Sequence, residues 1–328
     1  MQNIDFKLIK TLSEAFGISG REKEVRDIIV SEIEPYCDEI RVDSLGNLIA
    51  RKNGVGNDIL LTAAMDEPGF IITKIKEGGG AFLDFDPVGA VKPHSVISQA
   101  VAVGDKKLPG IISLKAVHLT TMEEREKPPA LKDLFIDIGA DTKTDAEAIM
   151  LGDYAVFDSK FEELGNSKIL GKSIARSACC GILCALLKSD DVHGITCVFT
   201  AQNQAGNRGS KLSFGIDEVE FGEAVVLDTL EDERVGRGDG VAVPGMVGET
   251  CVDRKVADKL AAAAGDKNKP FAKKNSTSDI AGISIKGSGI RCAELDIPIR
   301  NKNTASEIAD KGDIEAAYQT LYKYIIER

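Results

Sequence analysis

Histidine is scarce: His94, His118 and His193 are all that 328 residues carry. Cysteine offers little more as a source of metal ligands. The seven residues Cys37, Cys179, Cys180, Cys184, Cys197, Cys251 and Cys292 are odd in number and hold no C-x-x-C pair, which argues against a disulfide framework and for reduced thiols in a cytosolic protein. Cys179, Cys180 and Cys184 fall in an apolar segment, where packing is expected rather than metal binding. Positive charge is also in deficit, with 41 Lys and Arg against 52 Asp and Glu and a net charge of −11. A phosphate backbone rewards a basic surface, so a nucleic-acid partner is not expected. No apolar run approaches the ~20 residues that a membrane span needs. The opening MQNIDFKLIKTLSEAF lacks the apolar core and small-residue cleavage site of a secretory leader. A cytoplasmic protein without a membrane partner is the expectation.

What is present is the composition of an ordinary globular chain, 43% hydrophobic and 28% charged. Its length favours one large domain plus a smaller one. Helical periodicity runs from Ile4 to Phe16 and from Glu22 to Tyr36, and strand-like runs follow at Glu39–Asp43, Asn47–Lys52 and 58–64. From Phe70 to Phe157 the texture changes to short runs such as FIITKI, AVAV and GIISL broken by turns, which suits a small β-rich domain. Within it MEEREKPPALK (122–132), charged and holding two prolines, predicts a surface loop. Long elements then resume: a helix at Ala175–Leu187, strands at Ile195–Ala201 and Glu223–Asp228, a helix at Val252–Ala264, another after Ser278, a strand at Ile290–Ile297 and a last helix at Asp313–Glu327. The fold class predicted is α/β, a doubly wound mixed sheet with an inserted β-barrel-like domain, divided as 1–69 with 163–328 and 70–162.

In such sheets sites form beyond the carboxyl ends of strands. Those ends give Ala64-Met-Asp66-Glu67, Gln202-Asn203-Gln204 and Asp228. The start of the apolar helix adds Lys172 to Arg176, and the loop after Pro298 adds Arg300 to Glu307. These segments are expected to converge. The three histidines fall outside them. Asp66, Glu67, Asp228 and Asp279 supply the carboxylates a glycoside-cleaving pair requires, but acidic residues are too common for that reading to lead. Gly236-Arg-Gly-Asp-Gly240 lacks the Lys-Ser/Thr ending of a phosphate loop and reads as a turn.

Order and spacing across LIKTLSEAFGISGREKEVRDII, VDSLGNLIA, MDEPGFIITKI, DLFIDIGADTKTDAEAIMLGD, TAQNQAGNRGS and IPIRNKNTASE resemble the tetrahedral two-metal aminopeptidases, the family of glutamyl and deblocking aminopeptidases and endoglucanase-M-like proteins. The resemblance spans nearly the whole chain. The family's H-x-D-E-x-G is matched by Asp66, Glu67 and Gly69, with Ala64 at the histidine position. Its Asp-x-Arg leaves Ala175 at the bridging-Asp position before Arg176. Its Gln-Glu-Glu becomes Gln202-Asn203-Gln204, so Asn203 stands for the general base and Gln204 for a ligand. Its Arg-Tyr-x-His becomes Arg300-Asn301-Lys302-Asn303, with Asn303 at the second histidine. Asp228 is the only ligand retained.

Alanine offers a metal nothing and neutral amides offer zinc little. With no histidine to orient, Asp66 is expected to be vestigial, a hydrogen-bonding residue. The resemblance therefore implies a peptidase-inactive binding or assembly subunit with no cofactor, self-associating through the insert from dimer to dodecamer, with peptides or an active paralogue as further partners. The alternatives are an active aminopeptidase with atypical ligands, using zinc or cobalt, and a hydrolase with new metal-independent chemistry.

Overall fold

Apolar residues at helical spacing build α1 (Phe6–Glu14) and α2 (Lys23–Ile33), which bury Leu8, Ile9 and Leu12, and Val25, Ile29 and Ile33. Asp5 caps α1, its carboxylate accepting from the Lys7 and Leu8 amides at 2.9 and 3.3 Å. The computed structural model describes residues 4–55, 58–76, 82–140, 148–212, 221–273 and 278–327, so residues 141–147 of the DLFIDIGADTKTDAEAIMLGD stretch lie outside the described residues.

Strands β1 (Glu39–Val42), β2 (Leu48–Lys52) and β3 (Asp58–Ala64) enter the main sheet. The next six, β4 (Gly69–Lys76), β5 (Phe82–Val88), β6 (Ala100–Val103), β7 (Leu108–Leu114), β8 (Leu134–Asp137) and β9 (Tyr154–Phe157), close into a barrel in the order β4-β5-β8-β7-β6-β9. Inward residues of alternate positions fill it. Phe70 stacks edge-on with Phe85 and Phe157 at centroid distances of 4.8 and 5.4 Å. The stretch 122–132 is not a plain loop: it holds a short helix α3 (Met122–Glu126) and a 3₁₀ turn at Leu131–Asp133. MEERE is made of good helix formers, and Arg125 ties the turn by donating to the Val117 carbonyl at 2.7 Å.

The chain then adds β10 (Glu162–Leu164), β11 (Lys168–Gly171), α4 (Ile174–Lys188), β12 (Ile195–Thr200), β13 (Phe221–Leu230), β14 (Val241–Val247), β15 (Thr250–Cys251) and α5 (Arg254–Ala264). It ends with β16 (Asn268–Lys273), α6 (Ile280–Ile283), β17 (Arg291–Arg300), β18 (Glu307–Asp310) and α7 (Lys311–Ile326). The sheet order is β1-β2-β12-β3-β13-β17-β18-β11-β10, with β14 against β17 and joined to β15 and β16. Its centre, β12-β3-β13-β17, is parallel, and its flanks are antiparallel. The result is a mixed-sheet α/β fold with an enclosed β-barrel. The core strands are covered on both faces, which is why they read as unbroken apolar runs. Ile59, Leu61 and Ala63 of β3 face the large core formed with α1, α2, α4, α5 and α7, while Leu60 faces a second core with Ile280 and Ile283 of α6. Strands β10, β11, β14, β15, β16 and β18 were not legible as strands; most are short or edge elements whose pairing, not composition, defines them. Gly236–Gly240 is a turn, and Asp313 at the start of α7 accepts from the Gly238 and Gly240 amides at 2.7 and 2.8 Å.

Candidate functional site

Register brings the strand ends together: Thr200 lies beside Ala64, and Asp228 beside Asp296. Beyond them opens a cavity of about 370 Å³ lined by Ala64, Asp66, Ala175, Asn203, Gln204, Asp228 and Asn303, with Glu67, Lys302 and Glu307 among its other walls. Segments as far apart in the chain as Ala64 and Glu307 thus converge as their positions after strands require. The three histidines do not line it. Ser173 and Asn303, which line it, and Gln202 and Asn301, next in the chain to its lining residues Asn203 and Lys302, adopt φ of 56°, 64°, 55° and 57°. Such left-handed backbone is uncommon outside glycine and clusters at sites where the fold over-determines the chain.

On one side Glu67 is enclosed. It accepts from Lys172 Nζ at 2.8 and 3.1 Å, from the Gly17 amide at 3.0 Å, from Arg176 at 3.4 Å, and from the Ser173 hydroxyl. Burial works to raise its pKa, but Lys172 and Arg176 outweigh it and hold the carboxyl below its ordinary value. Arg176 also donates to the carbonyls of Met65, Leu12 and Ala15. Gly17 is needed here, because a Cβ would lie 2.1 Å from Arg176 Nη1.

Asp66 accepts the amides of Asn203 and Gln204 at 2.9 and 2.7 Å, which pins the turn after β12. Asn203 Nδ2 donates to Asp279 at 3.1 Å, and Gln204 Oε1 accepts from the Ala90 amide, a bridge to the barrel side. Glu307 accepts the Ala175 and Asn303 amides at 2.8 and 2.7 Å. Burial pushes Asp66 and Glu307 up to about 7 against these hydrogen bonds.

On the other side Asp228 meets two lysines. Lys273 Nζ donates to its Oδ2 at 2.9 Å and Lys302 Nζ to its Oδ1 at 3.1 Å. Lys273 Nζ also donates to Glu294 and Asp296, both at 2.7 Å. Burial acts to raise Asp228 as well, yet the two ammoniums hold it well below the carboxylate range. Burial, together with the neighbouring acids, lifts Glu294 to about 8. Lys273, Glu294 and Asp296 were missed by sequence reasoning. The signal for Glu294 and Asp296 was a charged pair at i, i+2 inside the apolar strand AELDIPI, which places both carboxylates on one buried face.

This mixed sheet with its closed barrel and strand-end pocket defines an α/β fold of the class found in aminopeptidase structures. The model of the M42 glutamyl aminopeptidase family matches residues 46–320, and the chain belongs to that family. It is 26% identical to the lysyl aminopeptidase of Pyrococcus furiosus, over 99% of this chain and 97% of that one. The structure of a TET aminopeptidase from a marine-sediment Thaumarchaeota archaeon superposes with a TM-score of 0.91 at 26% identity, covering 98% of this chain and 95% of that one. The Pyrococcus horikoshii TET1 peptidase, which can assemble into a tetrahedron or a large octahedral shell, gives 0.87 at 25% identity over 98% and 99%.

The expectation of no cofactor is overturned. The chain belongs to a family of metal-dependent peptidases, and one carboxylate oxygen from each of Asp228, Glu294 and Asp296 lies within 4.8 Å of the other two, close enough to share a cation. The reading failed because it weighed only the five positions that the resemblance assigns, while two of these acids come from a strand that looked like pure core. Tested by donor chemistry, Ala64, Ala175, Asn203, Gln204 and Asn303 do not make the set that two zinc ions require. A metal at this centre would be held by Asp228, Glu294 and Asp296 in place of the Lys273 ammonium.

Proposed function

We propose that the chain is an M42-family protein that does not cleave peptides by the two-metal route and serves as a binding or assembly subunit. The observation that carries this reading is the state of the general-base position: Asn203 is spent on Asp279, and both oxygens of Asp66 are taken by backbone amides. Loss of a general base forfeits ~10²–10⁴ in rate on its own, and the inherited ligand positions are also changed. Purified protein supplied with zinc or cobalt is expected to release no amino acid from aminoacyl-p-nitroanilides or peptides above background. Chelator-sensitive turnover by the unmodified chain would overturn the reading. Restoring Ala64→His, Ala175→Asp, Asn203→Glu, Gln204→Glu and Asn303→His together is expected to create two-metal binding.

The second reading is an active aminopeptidase with atypical ligands, removing residues from peptide N-termini. It is favoured by Asp66, whose pKa of about 7 falls where a general base works best, and by the Asp228, Glu294 and Asp296 group. The same turnover assay separates the two.

Self-association through the insert, 70–162, is part of the proposal. Val117, Leu119, Met122, Met150 and Leu151 are exposed there, and exposed apolar surface of this kind marks interaction sites. By analogy with the shell-forming relative, dimers would assemble further, toward a dodecamer, alone or with an active paralogue. Light scattering at micromolar concentration is expected to give at least a dimer; a clean monomer would remove the assembly role.

A further inference from the structure

Both oxygens of the Asp228 carboxylate face ammonium groups, but the two lysines differ in how they are held. Lys273 is buried and bonded to three carboxylates. Lys302 sits on the turn between β17 and β18, is about a quarter exposed, and spends two donors on Asp228 Oδ1 and the Thr229 carbonyl at 3.0 Å. Its aim is fixed from both sides. The Asn301 amide donates to Glu231 at 2.5 Å and the Asn303 amide to Glu307 at 2.7 Å, and both flanking residues are left-handed. A divalent ion on Asp228 at ~2.0–2.2 Å would lie against that ammonium, and like charges at such range repel strongly away from bulk water.

We infer that Lys302 is a tethered ammonium that competes with divalent cations for Asp228, so that cation loading at this carboxylate requires Lys302 to swing away. The inference rests on the geometry of the pocket described above and not on its hydrolytic silence.

The test is cobalt(II) binding to the full chain, washed free of metal with chelator, by calorimetry and by visible absorption of the bound ion. Lys302→Met is expected to bind cobalt roughly ten- to a hundredfold more tightly than the unmodified protein, the range by which groups around a metal tune affinity. Lys302→Arg, which keeps the charge, is expected to stay at the unmodified affinity. Adding Asp228→Asn to Lys302→Met is expected to abolish the gain. Lys302→Gln serves as a second neutral variant, and circular dichroism with sizing shows which of the two is folded. Equal affinity in the neutral variants and the unmodified chain overturns the inference, as does a gain that survives Asp228→Asn. Turnover by the unmodified protein would sink the proposed function while leaving this comparison readable.

Discussion

Two lysine–carboxylate centres flank the pocket, and they are built in opposite proportions. At Glu67 one carboxylate is surrounded by donors: Lys172, Arg176, Ser173 and the Gly17 amide. At Lys273 one ammonium serves three carboxylates, with Lys302 assisting at Asp228. The donor-rich centre keeps its acid ionised, whereas the acid-rich centre pushes Glu294 up to about 8. Buried charge is tolerated in either arrangement, but redundancy differs. Glu67 loses one of several partners if a lysine is removed; the three acids lose the one they share.

The largest expected effect follows from that difference. Lys273→Met is expected to cost about 3–5 kcal/mol in urea unfolding, the scale of an uncompensated buried charge. Lys172→Met is expected to cost less, since Arg176 and Ser173 still hold Glu67. Equal costs would break the comparison. A sharper version adds Glu294→Gln and Asp296→Asn to Lys273→Met, which is expected to recover much of the loss because the repulsion goes with the charges.

Next in size is the pH response. Asp66 and Glu307, raised to about 7, and Glu294, raised to about 8, carry protons in the folded chain that the unfolded chain has released above its ordinary carboxyl pKa values of 3.8 and 4.5. Stability from these groups is fully present below their unfolded values of 3.8 and 4.5 and is lost progressively as pH rises to about 7 to 8. The lowered groups, Glu67 and Asp228, act the other way, contributing above their unfolded values and losing that contribution only in stronger acid. The melting temperature is therefore expected to be several degrees higher at about pH 5.5 than at about pH 8.5. Asp66→Asn with Glu307→Gln should flatten that slope. The smallest effect is that of Lys302→Met on stability, within about 1 kcal/mol because the pair is partly solvated; thermal melts beside Lys273→Met would show whether the two ammoniums at Asp228 differ as described.

The donor-rich centre was the more legible of the two. Glu67 and Arg176 sit in contiguous motifs next to strand or helix ends, so their convergence followed from the parallel βα pattern alone. The acid-rich centre depends on which strands are neighbours. Asp228 meets Asp296 through the β13–β17 register, and Lys273 arrives on β16, which among the described residues pairs with β14 alone. Edge strands lack the apolar run that marks a buried one, so no local feature announced Lys273. The helix α3 was hidden for a related reason, since the prolines that end it suggested that nothing preceded them.

The carbonyls that close α1 have a further role. Those of Leu12 and Ala15, orphaned at a helix end, accept from Arg176, and that of Ala15 accepts from Lys172 as well, while the Ser13 hydroxyl donates to the Lys172 carbonyl. The opening helix is thus clasped by residues about 160 positions away. Its attachment does not depend on the peptide link to α2. A chain nicked in the turn between the two helices would keep its leading fragment seated, and the two pieces would travel and melt as one body.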